Sequence, residues 1–103
     1  MLEKDIEKIL VTSVKKLGGL AYKWVSPGNS GVPDRIVVLP NRQPVFVELK
    51  TDTGKLSALQ RVQCDRLIKL GQPVEIIYGL NDLAQYFRGL GYEEVSKAIE
   101  RKL

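Results

Sequence analysis

Histidine is absent from this sequence, and cysteine occurs once, at Cys64. Without these ligands and nucleophiles the chain builds neither a zinc finger nor a Ser-His-Asp or Cys-His catalytic site. One cysteine excludes an intramolecular disulfide, which favours a reducing, cytoplasmic setting. No apolar run approaches the length of a membrane-spanning helix, and the charged start, residues 1–5, lacks the apolar core of a signal peptide. We therefore expect a cytoplasmic protein without membrane contact.

Composition and length describe an ordinary globular protein. The chain has 103 residues, of which 44% are hydrophobic and 27% are charged, and we expect one domain over residues 1–103. The formal net charge is +4 and the pI is about 9.3. This excess of positive charge favours a polyanionic partner such as nucleic acid but does not demand one.

Hydrophobic periodicity and turn residues predict the order of helices and strands. Apolar residues from Leu2 to Leu17 lie at helical spacing, and Gly18-Gly19 ends that helix. Ser57 and Gln60 fit a capping box at the start of the second helix. The remaining predicted elements are strands over 20–25, 34–39, 44–50 and 73–78, and helices to about residue 70, from 81 or 82 to about 88, and over 91–103. Short turns predict that the first three strands are antiparallel, and the helical crossover permits a parallel fourth. The class is therefore α/β, with a mixed central sheet flanked by helices.

The strand over residues 45–50 carries the most informative side chains. Glu48 and Lys50 point to the same face of that strand, with Cα atoms roughly 7 Å apart. Asp34 opens the preceding apolar run, so pairing of the two strands brings two carboxylates and one ammonium to one end of the sheet. Carboxylate oxygens suit Mg²⁺ or Mn²⁺, and a lysine can orient water or stabilise charge on phosphorus. The alternatives are a turn aspartate at Asp34 and an ordinary ion pair between Glu48 and Lys50.

The ordered motifs resemble the PD-(D/E)xK nuclease superfamily and, more narrowly, its virus-type replication-repair nuclease (VRR-NUC) domain. The matching segments are residues 3–7, 18–23, 26–28, 31–35 with Pro33-Asp34, 46–50 with Glu48-Leu49-Lys50, and 56–60 with Gln60. The resemblance covers about residues 3–80 and implies a restriction-endonuclease-like αβββαβ core. The C-terminal helices, residues 81–103, are predicted as an extension outside the shared pattern.

The resemblance assigns roles to individual residues. Catalytic residues are expected at Glu3, Asp34, Glu48, Lys50 and Gln60, with Asp34, Glu48, the backbone carbonyl of Leu49, and Glu3 as ligands of Mg²⁺ or Mn²⁺. Two alternatives stay open from the residues themselves. Glu7 lies on the same flank of the first helix as Glu3. Gln60 can serve only as a helix cap.

Resemblance to the short, stand-alone phage and prophage members implies a homodimeric endonuclease. Such an enzyme cuts branched DNA, such as Holliday junctions or flaps, during replication, recombination or repair in the bacterial host cytoplasm. Candidate DNA-phosphate contacts are Lys23, Ser26, Gly28, Arg35, Lys55 and Arg61, together with Lys15, Lys16 and Arg42. The glycines of the loop 26–31 allow close backbone approach to a phosphate. The rival interpretations are a non-catalytic nucleic-acid-binding module on the same fold and an interaction domain whose charges only confer solubility.

Overall fold

The computed structural model describes all 103 residues, from Met1 to Leu103. Its elements are α1 (Glu3–Lys16), β1 (Leu20–Lys23), β2 (Arg35–Val38), β3 (Val45–Lys50), α2 (Ala58–Lys69), β4 (Val74–Tyr78), α3 (Gly79–Gly89) and α4 (Glu93–Glu100). The predicted order of elements is confirmed. No helix is long and apolar enough to cross a membrane.

The four strands form one mixed sheet in the order β1-β2-β3-β4. β1 pairs antiparallel with β2, and β2 pairs antiparallel with β3, whereas β4 lies parallel to β3. This topology confirms the predicted α/β class. It also makes β3 a central strand, whose end carrying Glu48 and Lys50 pairs with β4 and runs beyond its pairing with β2.

The two faces of the sheet are covered to different extents. Val47 and Leu49 of β3 face the main hydrophobic core, which they share with α1, α3 and α4. Four residues of α3 (Leu80, Leu83, Ala84 and Phe87) and one of α4 (Ile99) belong to that core. The opposite face meets α2 through the buried Cys64. At the β1 edge of that face, Leu20 and Tyr22 are 54% and 56% exposed.

The starts of the two C-terminal helices differ from the sequence prediction. α3 begins at Gly79, and the Asp82 carboxylate accepts the Tyr78 N–H at 2.8 Å from within the first turn rather than from an N-cap position. Gly91, expected in the last helix, instead ends α3. It has φ +92° and donates to Arg88, while the next N–H, from Tyr92, donates to Phe87. This is a Schellman ending, so α4 starts only at Glu93.

Candidate active site

Asp34 is fixed by the backbone of the neighbouring strand. It lies one residue before β2, and its Oδ2 accepts a hydrogen bond from the Leu49 N–H at 2.9 Å. The pairing of β2 with β3 ends at Arg35 and Val47, and the same register places Pro33 opposite Leu49. Proline has no N–H, so Pro33 donates no ladder hydrogen bond to the Leu49 carbonyl. At this point the hydrogen bond to β3 is therefore made by the Asp34 side chain and not by a backbone group.

Glu48 is buried, and its two carboxylate oxygens have different surroundings. Oε2 accepts from Gln60 Nε2 at 3.1 Å and lies 3.5 Å from Lys50 Nζ. Oε1 is buried and has no hydrogen-bond partner. An unpartnered buried carboxylate oxygen is costly unless a further group, such as a cation, occupies the position beside it.

Burial and like charge raise the pKa values of both strand carboxyls. Burial, and secondly the negative charge of Asp34, raise the pKa of Glu48 to about 7, against the opposing effect of Lys50. Burial also raises the pKa of Asp34, although the hydrogen bond from the Leu49 N–H opposes that shift. Two carboxyls that resist ionisation while sharing one site are typical of a cation-binding position.

Glu3 completes a group of three carboxylates. One oxygen each from Glu3, Asp34 and Glu48 lies within 4.8 Å of the others. Glu7, the alternative first-helix acid, is turned elsewhere, because its Oε2 accepts from Arg35 Nε at 2.7 Å. The fold thus brings Glu3, not Glu7, to Asp34 and Glu48. Three hard oxygen donors with one unpartnered oxygen fit Mg²⁺ or Mn²⁺ by donor chemistry.

Gln60 fills both of the roles that its sequence position suggested. Its Oε1 accepts from the Ser57 N–H at 2.8 Å, and its own N–H donates to Ser57 Oγ at 3.1 Å, which forms the capping box of α2. Its Nε2 at the same time donates to Glu48. The cap and the contact with the site therefore use opposite ends of one side-chain amide.

The family model described as "VRR-NUC domain" matches residues 3–81. The chain belongs to the VRR-NUC family. It is also 49% identical over 75 residues to "Putative nuclease p44" of Acyrthosiphon pisum secondary endosymbiont phage 1, an alignment that covers 73% of this chain and 81% of that protein. A solved structure named "VRR_NUC domain" is 28% identical and superposes with a TM-score of 0.69 over 95% of this chain and 94% of the other.

The residues expected to contact DNA in this VRR-NUC chain fall into two groups. Lys23, Gly28, Lys55 and Arg61 are exposed, and Ser26 is half-buried, its hydroxyl accepting from Asn29 at 2.9 Å. Arg35 differs from them. Its guanidinium donates to Glu7 and, at 3.0 Å, to the Ala21 carbonyl, so its charge is already paired within the protein.

One backbone group beside the VRR-NUC site, the Leu49 N–H, was not identified from the sequence, whereas the capping box predicted the contact of the Ser57 N–H with Gln60. The Leu49 N–H and the Ser57 N–H each bind a side chain of the candidate site. The spacing of the capping box alone does not say that the same glutamine also reaches a carboxylate on the preceding strand. The Leu49 N–H carries no residue signature, so only the structure reveals its contact with Asp34.

Proposed function

We propose that this chain is a Mg²⁺- or Mn²⁺-dependent DNA endonuclease, with residues 1–103 acting as one nuclease domain. The observation that carries the proposal is the carboxylate group around Glu48. Glu3 lies on α1, Asp34 just before β2 and Glu48 on β3, yet one oxygen of each lies within 4.8 Å of the others, and the buried Glu48 Oε1 lacks a partner. Membership of the VRR-NUC family and the phage relative named as a nuclease support the same function.

The ligands proposed for the ion are Asp34, Glu48, Glu3 and the Leu49 carbonyl. Asp34 is held by the Leu49 N–H, which leaves the second carboxylate oxygen of Asp34 for other partners. Glu48 offers its unpartnered Oε1. A bound Mg²⁺ or Mn²⁺ supplies Lewis acidity and a water of lowered pKa. The other steps depend on the side chains around it.

Lys50 and Gln60 are the remaining catalytic residues of the proposal. Lys50 is 10% exposed, and its ammonium lies 3.5 Å from Glu48 Oε2, on the face of β3 that carries both side chains. Placed there, the ammonium stabilises negative charge on a phosphate that reaches the carboxylates, or orients the attacking water. Gln60 holds Oε2 and so fixes the plane of the Glu48 carboxylate. Attack of water on phosphorus leaves a 3′-hydroxyl and a 5′-phosphate.

DNA is proposed to reach the site along its exposed cations. Lys23, Lys55 and Arg61 would contact phosphates, which fix the position of a duplex without reading its sequence. The loop over residues 26–31, with Ser26 and Gly28, would approach the backbone closely, since Gly28 has open space around it and φ +81°. Arg35 is the weakest of the proposed contacts, because Glu7 already neutralises it.

Branched DNA and a homodimer belong to the same proposal. Symmetric cutting of a four-way junction requires two sites related by a two-fold axis. The sheet face opposite the main core offers a surface for a second copy, since its β1 and β2 side chains (Leu20, Tyr22, Ile36 and Val38) are all uncharged. Leu20 and Tyr22 are exposed there, and exposed apolar side chains that lie together on a sheet face are candidates for an interface. The phage origin of the 49%-identical relative supports action inside a bacterial host cell.

A cleavage assay tests the proposed function. Purified protein is incubated with labelled four-way junction, flap, duplex and single-stranded DNA in Mg²⁺, Mn²⁺ or EDTA. We expect cleavage only with metal, and loss of cleavage with retained DNA binding in Glu48→Gln and Lys50→Ala. Glu94→Gln, an exposed carboxyl on α4, is the matched control. Binding without cutting in every metal would make the chain a non-catalytic module, and wild-type rates in both site variants would refute the assignment.

A further inference from the structure

We propose that the peptide N–H of Ser57 is a positioning group for the candidate active site, because it fixes the orientation of the Gln60 amide that holds Glu48. The inference rests on the proposed function and adds a residue to it. Ser57 contacts neither of the strand carboxylates in the hydrogen-bond network. It acts through Gln60, whose Oε1 lies 2.8 Å from the Ser57 nitrogen and whose Nε2 lies 3.1 Å from Glu48 Oε2.

Only one orientation of the amide satisfies both neighbours. The Ser57 N–H is a donor in every protonation state and requires an acceptor, which is Oε1 of Gln60. The amide NH₂ must then point the other way, toward Glu48 Oε2. Rotating the amide by half a turn would place NH₂ against N–H and C=O against a carboxylate oxygen, and both contacts would be unfavourable. The main chain of the helix start therefore decides which end of Gln60 reaches the site.

The fixed Gln60 amide also gives the two carboxylate oxygens of Glu48 different surroundings. Oε2 receives both protein donors, Gln60 Nε2 and the Lys50 ammonium, while Oε1 receives none. A glutamine free to rotate would no longer hold Oε2, and the carboxylate would lose its defined plane. A cap that served only helix stability would have no such effect on Glu48, so the two interpretations differ in what they predict for the site.

Substitutions at Ser57 test the N–H. Ser57→Ala removes the hydroxyl cap but keeps the N–H, whereas Ser57→Pro removes both. Proline fits the local backbone, since Ser57 has φ −69° and precedes the first helical residue. The difference between Ala and Pro therefore reports on loss of the N–H that holds Gln60 Oε1, together with displacement of that oxygen by the proline ring, which takes the place of the hydrogen. Ser57→Thr keeps hydroxyl and N–H together and is the conservative rescue.

We expect Ser57→Pro to lower kcat roughly ten- to hundredfold relative to Ser57→Ala, by analogy with small misplacements of catalytic groups. Mn²⁺ affinity, measured by calorimetry without DNA, should fall in the same order, and Ser57→Thr should match the wild type in both. Equal kcat and equal Mn²⁺ affinity for the Ala and Pro variants, at matched helix content by circular dichroism, would overturn the proposal.

A spectroscopic measurement keeps the inference testable where Ser57→Pro does not fold or where no DNA is cut. In the metal-free wild-type protein, the NMR shift of the Gln60 side-chain amide proton that donates to Glu48 should lie away from its free-glutamine value, and the amide should exchange slowly with solvent, because it is held at both ends. Shifts at free-glutamine values and fast exchange in the folded wild type would overturn the proposal that Ser57 and Glu48 hold the Gln60 amide in one orientation. This measurement needs no cleavage. Failure of the nuclease proposal can therefore be told apart from failure of the proposed role of Ser57.

Discussion

Asp34 accepts the peptide N–H of Leu49 at 2.9 Å, so a side chain occupies the place that a strand residue would otherwise fill. Leu49 lies between Glu48 and Lys50, and the hydrogen bond therefore ties Asp34 directly to the segment that carries the other two groups of the site. The register of β2 against β3 and this hydrogen bond together set the distance between the Asp34 and Glu48 carboxylates. This relationship explains why Pro33 and Asp34 lie where β2 has not yet begun.

Asp34→Asn should separate the structural role of Asp34 from its charge. The asparagine Oδ1 can still accept the Leu49 N–H, so folding should be retained, while the cation loses a charged ligand. We expect cleavage to fall by at least about 100-fold and Mn²⁺ binding by calorimetry to weaken strongly. Asp65→Asn, on the exposed side of α2, is the control. Undiminished Mn²⁺ affinity in Asp34→Asn would remove Asp34 from the ligand set.

Asp34→Ala tests the hydrogen bond itself. Without an acceptor the Leu49 N–H loses its partner, and leaving a buried donor unsatisfied costs about 1–3 kcal/mol. The free energy of unfolding in urea should drop by that amount below the value for Asp34→Asn. Equal stabilities of the two variants would show that the Leu49 N–H finds another partner.

The two glutamates of α1 should behave differently. Glu3→Gln removes an oxygen donor from the carboxylate group and should weaken Mn²⁺ binding and cleavage together. Glu7→Gln removes a partly exposed ion pair with Arg35, which is worth about 1 kcal/mol or less, and should affect mainly thermal stability. If Glu7→Gln lost cleavage while Glu3→Gln kept it, the first-helix acid would be Glu7.

The pH dependence of stability should change sign with metal. The folded pKa of Glu48 is about 7, above its ordinary value of 4.5, so the folded state holds this proton more tightly than the unfolded chain does. In EDTA the stability associated with Glu48 is therefore present below about pH 4.5 and lost as the pH rises through about 7, by on the order of 3 kcal/mol at most. A bound cation should reverse the decline, because it requires the ionised carboxylate.

Glu48→Gln provides the control for that titration. Because glutamine does not ionise, the variant should be more stable than the wild type at pH 8 in EDTA and should gain little from Mg²⁺. Thermal unfolding from pH 4 to 8, with and without Mg²⁺, measures both effects. If the thermal stabilities of wild type and variant changed with pH in parallel, ionisation of Glu48 would cost the folded state no free energy.

The loop before Asp34 should tolerate a methyl group at one glycine and not at another. Gly28 and Gly31 both have positive φ, +81° and +89°, so alanine introduces backbone strain of roughly 1–2 kcal/mol at either site. A Cβ at Gly31 would also lie 2.6 Å from the Leu59 carbonyl, whereas Gly28 has nothing within 4 Å. Gly31→Ala should therefore be the more destabilising in urea unfolding. Equal losses would mean that the loop moves away from α2 at little cost.

Self-association should depend on the uncovered sheet face. Tyr22→Lys places a charge on this face, at the exposed edge strand, and should shift a dimer toward monomer in analytical ultracentrifugation. Ile68→Lys, at a residue of α2 that is exposed to a similar extent, 52%, is the matched control and should leave the mass unchanged. A wild-type protein that sediments as a monomer at all concentrations would rule out the dimer.

Local signals were sufficient for the strands and the capping box, but not for the partners of charged side chains. Alternation along β3 placed Glu48 and Lys50 on one face, and the Ser57–Gln60 spacing marked the start of α2. Glu3 was preferred to Glu7, but Glu7 stayed an alternative because both flank the same helical stripe, and the sequence did not show that Arg35, 28 residues beyond Glu7, binds it. Gly91 was misplaced because the Schellman bonds that end α3 depend on backbone conformation, which residue type alone does not determine.

Two of the groups that organise the carboxylates, the amides of Leu49 and Ser57, belong to the main chain. Every amino acid except proline supplies such a donor. Among diverging relatives, core packing at Leu49 and the helix cap at Ser57 should restrict the side chains at these two positions, while the donors themselves place no demand on side-chain type. Their functional contribution would be visible only as a prohibition, the consistent avoidance of one imino acid at each position.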